Sequence, residues 1–126
     1  MPTEELRKEP MMAHLMDSLE AGRDIGHYGR LIFVMVGRHF LPTDEVLEWL
    51  KKDPDSDEEK SRGLVEQVEA RDYNPPKRER ILEWMRQQEF PICPDAGDAS
   101  QCNVYRNLIF PEELYAKIQG FYQAKE

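Results

Sequence analysis

Residues 24–40 form the most apolar stretch of the chain, and the segment 31–36 within it contains no polar residue. A short apolar run fits either a buried strand or the middle of a buried helix, because periodicity alone does not separate the two. We favour a helix, since Asp24 is a good N-cap and Pro42 follows closely enough to end a helix near Phe40. An apolar middle on all sides is typical of the central helix of a bundle.

Amphipathic helices are predicted on both sides of this central helix. In the first, apolar residues recur at the i, i+3, i+4 and i+7 positions of one helical face. Capping residues and prolines mark the starts of the helices that follow, and Ser56 and Glu59 have the spacing of a capping box. The predicted flanking helices cover residues 11–20, 43–52, 57–71 and 75–89.

A loop interrupts the chain before its last helix. Pro91, Pro94 and Gly97 break residues 90–103, which carry both cysteines. Residues 104–110 fit an extended segment or a single helical turn, and Pro111 starts a final helix with a wide apolar face. That face consists of Leu114, Tyr115, Ile118, Phe121 and Tyr122.

These patterns predict an all-α fold, a single compact bundle of about five to six helices with a Cys- and Pro-containing loop before the last helix. Residues 1–10 are polar and end at Pro10, so we expect a flexible N-terminal arm followed by one helical domain over residues 11–124. A chain of 126 residues can bury a core without metals or disulfides.

The composition is that of a soluble protein, with 40% hydrophobic and 33% charged residues. The longest apolar run is too short to cross a bilayer, and the charged N-terminus lacks the apolar core of a secretory signal. We therefore expect a cytoplasmic protein with no membrane partner.

The net charge of −8 argues against non-specific nucleic-acid binding, because such binding depends on Lys and Arg neutralising phosphates. Residues 44–72 carry most of the excess, with eleven acids against five bases. We interpret these acids as a solvated face of the protein. The alternative is a docking surface for a basic partner.

Two sets of basic residues are candidates for binding an anion. The first lies near the start of the predicted central helix, where free backbone N–H groups favour a phosphate or triphosphate, and the second lies on the 75–89 helix. The alternative is that these side chains pair with the acidic helices across the bundle. The candidate nucleotide- or nucleic-acid-binding residues are Arg23, His27, Arg30, Lys77, Arg78 and Arg80.

No motif for catalysis is present. A nucleophilic serine needs a base that is itself oriented by a third group, and Ser18, Ser56 and Ser100 do not lie in a strand–turn–helix elbow. The chain has no phosphate-binding glycine loop, dinucleotide fingerprint or His-Glu-x-x-His pair. We expect no catalytic residues, no cofactor, and no catalytic activity of the chain in isolation.

Cys93 and Cys102 are separated by eight residues in the predicted loop. Structural zinc takes four ligands, so a metal would also need two of His14, His27 and His39, which lie on distant predicted helices. Without a metal, the two cysteines form either a disulfide or a pair of reduced structural thiols. We favour reduced thiols and expect no metal, because disulfides are unusual in a reducing compartment.

Several short motifs follow the glycine-punctuated apolar helix with its Arg and His residues. They are the acidic helices, Tyr73-Asn74-Pro75-Pro76 before a basic helix, Cys93-Pro94, Cys102-Asn103, and Pro111 with Tyr115. Their order over residues 22–122 resembles the small helical C-terminal domains of archaeo-eukaryotic-type primases and primase-polymerases. The resemblance implies a helix-bundle accessory domain that helps hold the initiating nucleoside triphosphate and the template strand for a catalytic subunit located elsewhere.

The large-subunit domains of that family hold an iron–sulfur cluster with four cysteines, whereas this chain has two, so we expect no cluster. The leading hypothesis is a non-catalytic, primase-like accessory domain that binds an initiating nucleotide or single-stranded nucleic acid for a partner catalytic subunit. The alternative is an acidic helical module for protein–protein interaction or oligomerisation, with no nucleic-acid role.

Overall fold

The computed structural model describes residues 2–98 and 101–118. Within these ranges the chain forms helices and no strand, which confirms the predicted all-α class. The described helices are α1 (Pro2–Leu6), α2 (Pro10–Glu20), α3 (Gly26–Gly37), α4 (Thr43–Leu50), α5 (Glu58–Arg71), α6 (Arg78–Met85), α7 (Val104–Asn107) and α8 (Glu112–Lys117).

Helix α3 is the central helix of the bundle. Its residues Ile32, Phe33, Val34 and Val36 are fully buried, and α3 contacts α2, α4, α5 and α6. The choice of helix over strand for this apolar run is therefore confirmed. The helix ends at Gly37, earlier than Pro42 alone indicates, because the chain turns over residues 38–40.

The N-terminal segment differs from the predicted flexible arm. Residues 2–6 form α1, and Leu6 is fully buried in the same core as the methionine and leucine side chains of α2. Arg7 fixes the end of α1 on α2, since its guanidinium pairs with Asp17 at 2.5 Å and with Glu20 at 2.8 Å. Apolar burial and ion pairing thus hold a segment whose polar sequence suggested a loose arm.

A side-chain cap fixes where α5 begins, whereas α6 begins without one. Asp57, not Ser56, caps α5, because its Oδ1 accepts a hydrogen bond from the Lys60 N–H at 2.8 Å. The Ser56 hydroxyl instead lies 2.8 Å from the Ser61 hydroxyl. Helix α6 starts at Arg78, later than the predicted residue 75, because residues 73–77 run outside helical structure.

The C-terminal part of the described chain packs around one buried aromatic ring. Phe110 contacts the rings of Phe40, His39, Tyr105 and Tyr115. The single turn of α7 precedes Phe110 and supplies Tyr105, and the short α8 follows Phe110 and supplies Tyr115. The predicted face residues Phe121 and Tyr122 lie outside the described residues.

In the part of the chain that the structure describes, every helix is too short or too polar to cross a membrane.

Candidate nucleic-acid interface

A surface groove lies between α3, α5 and α6 and has a volume of about 490 Å³. Its lining includes apolar and aromatic side chains and two cations, Lys77 and Arg80. The lining residues are Leu31, Met35, Gln67, Tyr73, Pro76, Lys77, Arg80 and Trp84. Aromatic rings beside Lys and Arg are the combination that binds single-stranded nucleic acid, because bases stack on the rings while the cations attract phosphates.

The helical spacing of α6 brings a cation and an aromatic ring of the groove together. Arg80 and Trp84 are four residues apart, so their side chains share one face of the helix. The Arg80 guanidinium lies 5.8 Å from the centroid of the Trp84 ring. Its other contact is a 4.0 Å pair with the exposed Glu83 carboxylate, and exposed pairs of this kind hold a side chain weakly. Arg80 can therefore turn toward a bound phosphate.

A neighbouring ring fixes the orientation of Trp84. Tyr28 stacks on Trp84 with 5.4 Å between ring centroids and 14° between their planes. The Tyr28 hydroxyl donates to the Gln87 side chain at 3.1 Å, and the Tyr28 backbone N–H donates to the Gln88 side chain at 2.9 Å. These contacts join α3 to the end of α6 and hold Trp84 in place at the groove.

A smaller cavity of about 250 Å³ adjoins the groove, and Gln67 lines both. The cavity contains His27 and Arg30 from the first predicted set of basic residues, together with Lys60. This is the place where the sequence predicts a phosphate or triphosphate. His27 is exposed there, and its ring makes an edge contact with Tyr28.

Three carboxylates surround Arg30 at this cavity. Arg30 Nη1 lies 3.0 Å from Asp53 Oδ2 and 3.1 Å from Asp24 Oδ1, and Nη2 lies 3.5 Å from Asp55 Oδ2. Arg30 thus pairs with acids that lie before α3 and in the turn after α4, and not with the acidic helices that the sequence alternative named. A phosphate entering the cavity would meet these negative charges, so the electrostatics favour the groove over the cavity as an anion site.

Arg23 and Arg78 lie apart from both the groove and the cavity. The Arg23 guanidinium lies over the Phe90 ring at 5.5 Å from its centroid. Arg78 donates to the Gln101 carbonyl at 3.2 Å and to the Ala96 carbonyl at 2.5 Å. The structure therefore places two of the six basic candidates, Lys77 and Arg80, at the groove and two others, His27 and Arg30, at the cavity. The remaining two, Arg23 and Arg78, contact the Phe90 ring and the carbonyl groups of Ala96 and Gln101.

The sequence pattern did not identify Tyr73 and Trp84 as residues of the candidate site. The sequence places Tyr73 in a turn and Trp84 near the core, yet both are half-buried and line the groove. The signal for Trp84 was its position four residues after Arg80 on a short helix. Tyr73 lines the groove because of the path of residues 73–77, which lie outside any helix. Hydrophobic periodicity does not predict the path of such a segment.

Cys93 and Cys102 lie side by side and are placed to form a disulfide, with 6.1 Å between their Cα atoms, and both side chains are buried. The choice between a disulfide and a pair of reduced structural thiols stays a prediction. That Cα separation is normal for a disulfide. In the described residues, no group of three or more His, Cys, Asp or Glu side chains is arranged to hold a metal ion.

A second ion-pair cluster occupies the far end of α3. Asp72 accepts from Lys117 at 2.6 Å and from Arg38 at 2.7 Å, and these two bonds lower the pKa of Asp72 to about 2. Burial, with the charge of Arg38 as a second cause, lowers the pKa of His39 to about 4. Arg38 also donates to the Tyr73 carbonyl at 3.0 Å, so it ties α3 to the segment that supplies the groove.

Comparison with protein-family models, curated proteins and solved structures finds no match for this chain. The functional interpretation therefore depends on the groove and its residues.

Proposed function

We propose that this chain is a non-catalytic accessory domain that binds single-stranded nucleic acid or a nucleotide through the groove. The observation that supports this proposal is the placement of Lys77 and Arg80 beside the rings of Tyr73 and Trp84 in one cleft. Stacking of one base on an aromatic side chain contributes about 1–3 kcal/mol and tolerates any base. The expected ligand is therefore a short single-stranded segment bound with little sequence preference.

The distribution of charge limits the affinity of such a site. The chain has a net charge of −8, and the exposed acids of α4 and α5 repel a long polyanion. Two groove cations neutralise at most two phosphates, for which the logarithm of the affinity falls with the logarithm of salt concentration with a slope of about −1.4. A weak, salt-sensitive site of this kind suits a domain that works beside a partner catalytic subunit.

The resemblance to primase accessory domains supports the same proposal from the sequence. Its Tyr73-Asn74-Pro75-Pro76 motif supplies two lining residues, Tyr73 and Pro76, and leads directly into Lys77. Under a primase-type role, the groove would hold the template strand or the base of an initiating nucleotide for the catalytic subunit.

A protein-interaction or oligomerisation module is the second candidate function. The observation that favours it is Ile109, whose side chain is 85% exposed between α7 and α8. On this alternative, Ile109→Ser weakens self-association or partner binding, and single-stranded nucleic acid has no effect on the complex. Analytical ultracentrifugation with and without oligonucleotide measures both properties.

The proposed function is tested by titrating a labelled oligothymidylate with the protein and following fluorescence anisotropy at low and at physiological salt. A variant with Lys77→Gln and Arg80→Gln removes both groove cations. The matched control carries Lys51→Gln and Lys52→Gln, which also remove two positive charges. These two lysines are exposed, as Lys77 and Arg80 are, but they lie at the end of α4.

The proposal predicts saturable binding that salt weakens, weaker but still measurable binding at low salt in the groove variant, and wild-type binding in the control. The groove variant should also flatten the salt dependence, by about 0.7 unit of slope for each phosphate that it no longer neutralises. Equal binding by the two double variants, or no saturable binding at low salt, would contradict the proposal.

A further inference from the structure

The chain segment between the two cysteines is bound to the start of helix α6, which carries the groove cations. Arg78, in the first turn of α6, donates to the carbonyl groups of Ala96 and Gln101. Gln101 directly precedes Cys102. The Arg78 side chain, next to Lys77 in sequence, thus binds two carbonyl groups of the segment between Cys93 and Cys102.

The same segment also contacts the other end of α6. The Cys93 backbone N–H lies 3.3 Å from the sulfur of Met85, the last residue of the helix. Arg80 and Trp84 lie between these two attachment points. The position of α6, and with it one wall of the groove, therefore depends on the segment that the cysteines enclose.

The Cys102 end of the segment is anchored independently of the disulfide. Its backbone N–H faces the buried Glu9 carboxylate, next to the start of α2, and opposes the rise in the pKa of Glu9 that burial causes. Cys102 also has a φ of 65°, in the left-handed region that residues other than glycine seldom adopt. Such a conformation persists only where surrounding contacts impose it. A Cys93–Cys102 disulfide thus joins Cys93, which contacts the last residue of α6, to a fixed point of the bundle.

We infer that the oxidation state of the Cys93–Cys102 pair controls the affinity of the groove for single-stranded nucleic acid, the disulfide form binding more tightly. This inference rests on the proposed function. The reductant is a dithiol: one of its thiolates attacks a sulfur of the pair, the Cys93–Cys102 bond breaks, and the second thiol of the reductant completes its own disulfide. Two electrons and two protons pass to the protein, which retains two thiols.

The physical cause is the ordering of α6. In the disulfide form, the ring of chain holds the Ala96 and Gln101 carbonyl groups where Arg78 reaches both. Reduction leaves that segment with more conformations, so Arg78 loses fixed partners and the first turn of α6 becomes less ordered. A ligand of the reduced protein must then order Lys77 and Arg80 on binding, and ordering such side chains weakens the affinity by about threefold to tenfold.

The burial of the two cysteine sulfurs limits how fast a dithiol reduces the disulfide. Cys93 is 3% exposed and Cys102 is fully buried, so thiol–disulfide exchange requires a local opening of the segment. Residues 94–98 are all exposed, which makes such an opening local to the loop. A small dithiol should therefore reduce the pair slowly without unfolding the bundle.

The test uses the full chain in its oxidised form and after reduction with dithiothreitol, with free thiols counted by alkylation and mass spectrometry. Affinity for labelled oligothymidylate is measured in both forms, and hydrogen exchange reports the protection of the α6 amides without any ligand. We expect weaker binding and faster exchange over residues 81–85 in the reduced protein. A variant with Cys93→Ala and Cys102→Ala should behave as the reduced protein and ignore dithiothreitol.

Arg78→Gln provides a second variant that keeps both cysteines. If Arg78 transmits the effect, the oxidised variant binds as weakly as the reduced wild type, and its reduction causes no further loss. If Arg78 contacts phosphate directly, the substitution weakens both redox forms to the same extent, which contradicts the inference.

Equal affinity of the oxidised and reduced wild type overturns the redox inference and leaves the proposed function standing. Absence of binding in both forms overturns the proposed function and, with it, redox control of binding. Unchanged exchange of the α6 amides on reduction also overturns the inference, whatever the affinities are, because the ordering of α6 is its physical cause.

Discussion

Arg30 and Asp53 form an ion pair that is almost completely removed from solvent. Arg30 Nη1 lies 3.0 Å from Asp53 Oδ2, and the side chains are 12% and 0% exposed. The Asp53 carboxylate also accepts the backbone N–H of Ile25 at 3.0 Å and that of Asp55 at 2.8 Å. This arrangement joins the start of α3 to the turn after α4.

Replacement of Arg30 should therefore affect stability first. Arg30→Ala leaves the buried Asp53 charge without its cation, and breaking a buried pair in this way costs about 3 kcal/mol. We expect a loss of this size in the free energy of unfolding, measured with urea at neutral pH. Arg30→Ala combined with Asp53→Asn removes both charges and should recover part of the loss. An Arg30→Ala variant as stable as wild type would contradict this role of the pair.

Gly26 is required by both its backbone and its neighbour. Its φ is 81°, and a Cβ atom there would lie 2.5 Å from the Gln88 side-chain oxygen. Gln88 would have to move and would lose its bonds to the Tyr28 N–H and the Ile25 carbonyl, each worth about 1 kcal/mol. With about 1 kcal/mol for the left-handed backbone, Gly26→Ala should cost about 3 kcal/mol in thermal or urea unfolding.

Gly22 offers a matched control for that prediction. Its φ is 73°, but a Cβ atom there would meet no heavy atom within 4 Å. Gly22→Ala should therefore show the backbone cost alone, about 1 kcal/mol. In a Gln88→Ala background, the stability cost of Gly26→Ala should also be about 1 kcal/mol. Equal costs at the two glycines in the wild-type background would rule out the contact with Gln88 as the cause.

His39 should make stability depend on pH. Its pKa is lowered from 6.5 to about 4, first by burial and then by the charge of Arg38, and Lys117 adds to this while Asp72 opposes it. Because the unfolded chain binds the proton more readily, the contribution of His39 is complete above about pH 6.5 and is lost as the pH falls toward 4. Over that range the wild type should lose stability relative to His39→Gln in urea unfolding. Parallel pH profiles of the two proteins would show that His39 titrates normally in the fold.

Periodicity predicted the helices that present an apolar face over two or more turns. Helix α2 ends at Glu20 and α5 at Arg71, as the sequence predicts, because their apolar stripes and end signals agree. Helix α1 was missed, since it is five residues long and Leu6 is the one buried residue among its described side chains, residues 3–6. Its stability comes from packing on α2, which a local pattern does not contain.

The candidate site was predicted only in part, because charge identifies cations but not their partners. Asp53 lies 23 residues from Arg30 in sequence and meets it only after the bundle has formed. Lys77 and Arg80 could be proposed from their basic helix, whereas the groove depends on Tyr73 and Trp84 reaching the same surface from different segments. The i, i+4 spacing of Arg80 and Trp84 is a signal in the sequence, but the approach of Tyr73 to the same surface leaves none in spacing or composition.

Under the proposed function, a nucleobase stacks on Trp84 in the groove. The chain has two tryptophans, Trp49 and Trp84, and Trp49 packs against Phe33 on another part of α3. In a Trp49→Phe variant, all tryptophan emission therefore comes from the groove. We would titrate this variant with oligothymidylate and follow tryptophan fluorescence together with anisotropy of the labelled strand. We expect saturable quenching that follows the anisotropy and weakens with salt. Binding without any change in Trp84 emission, or no binding, would contradict stacking on Trp84.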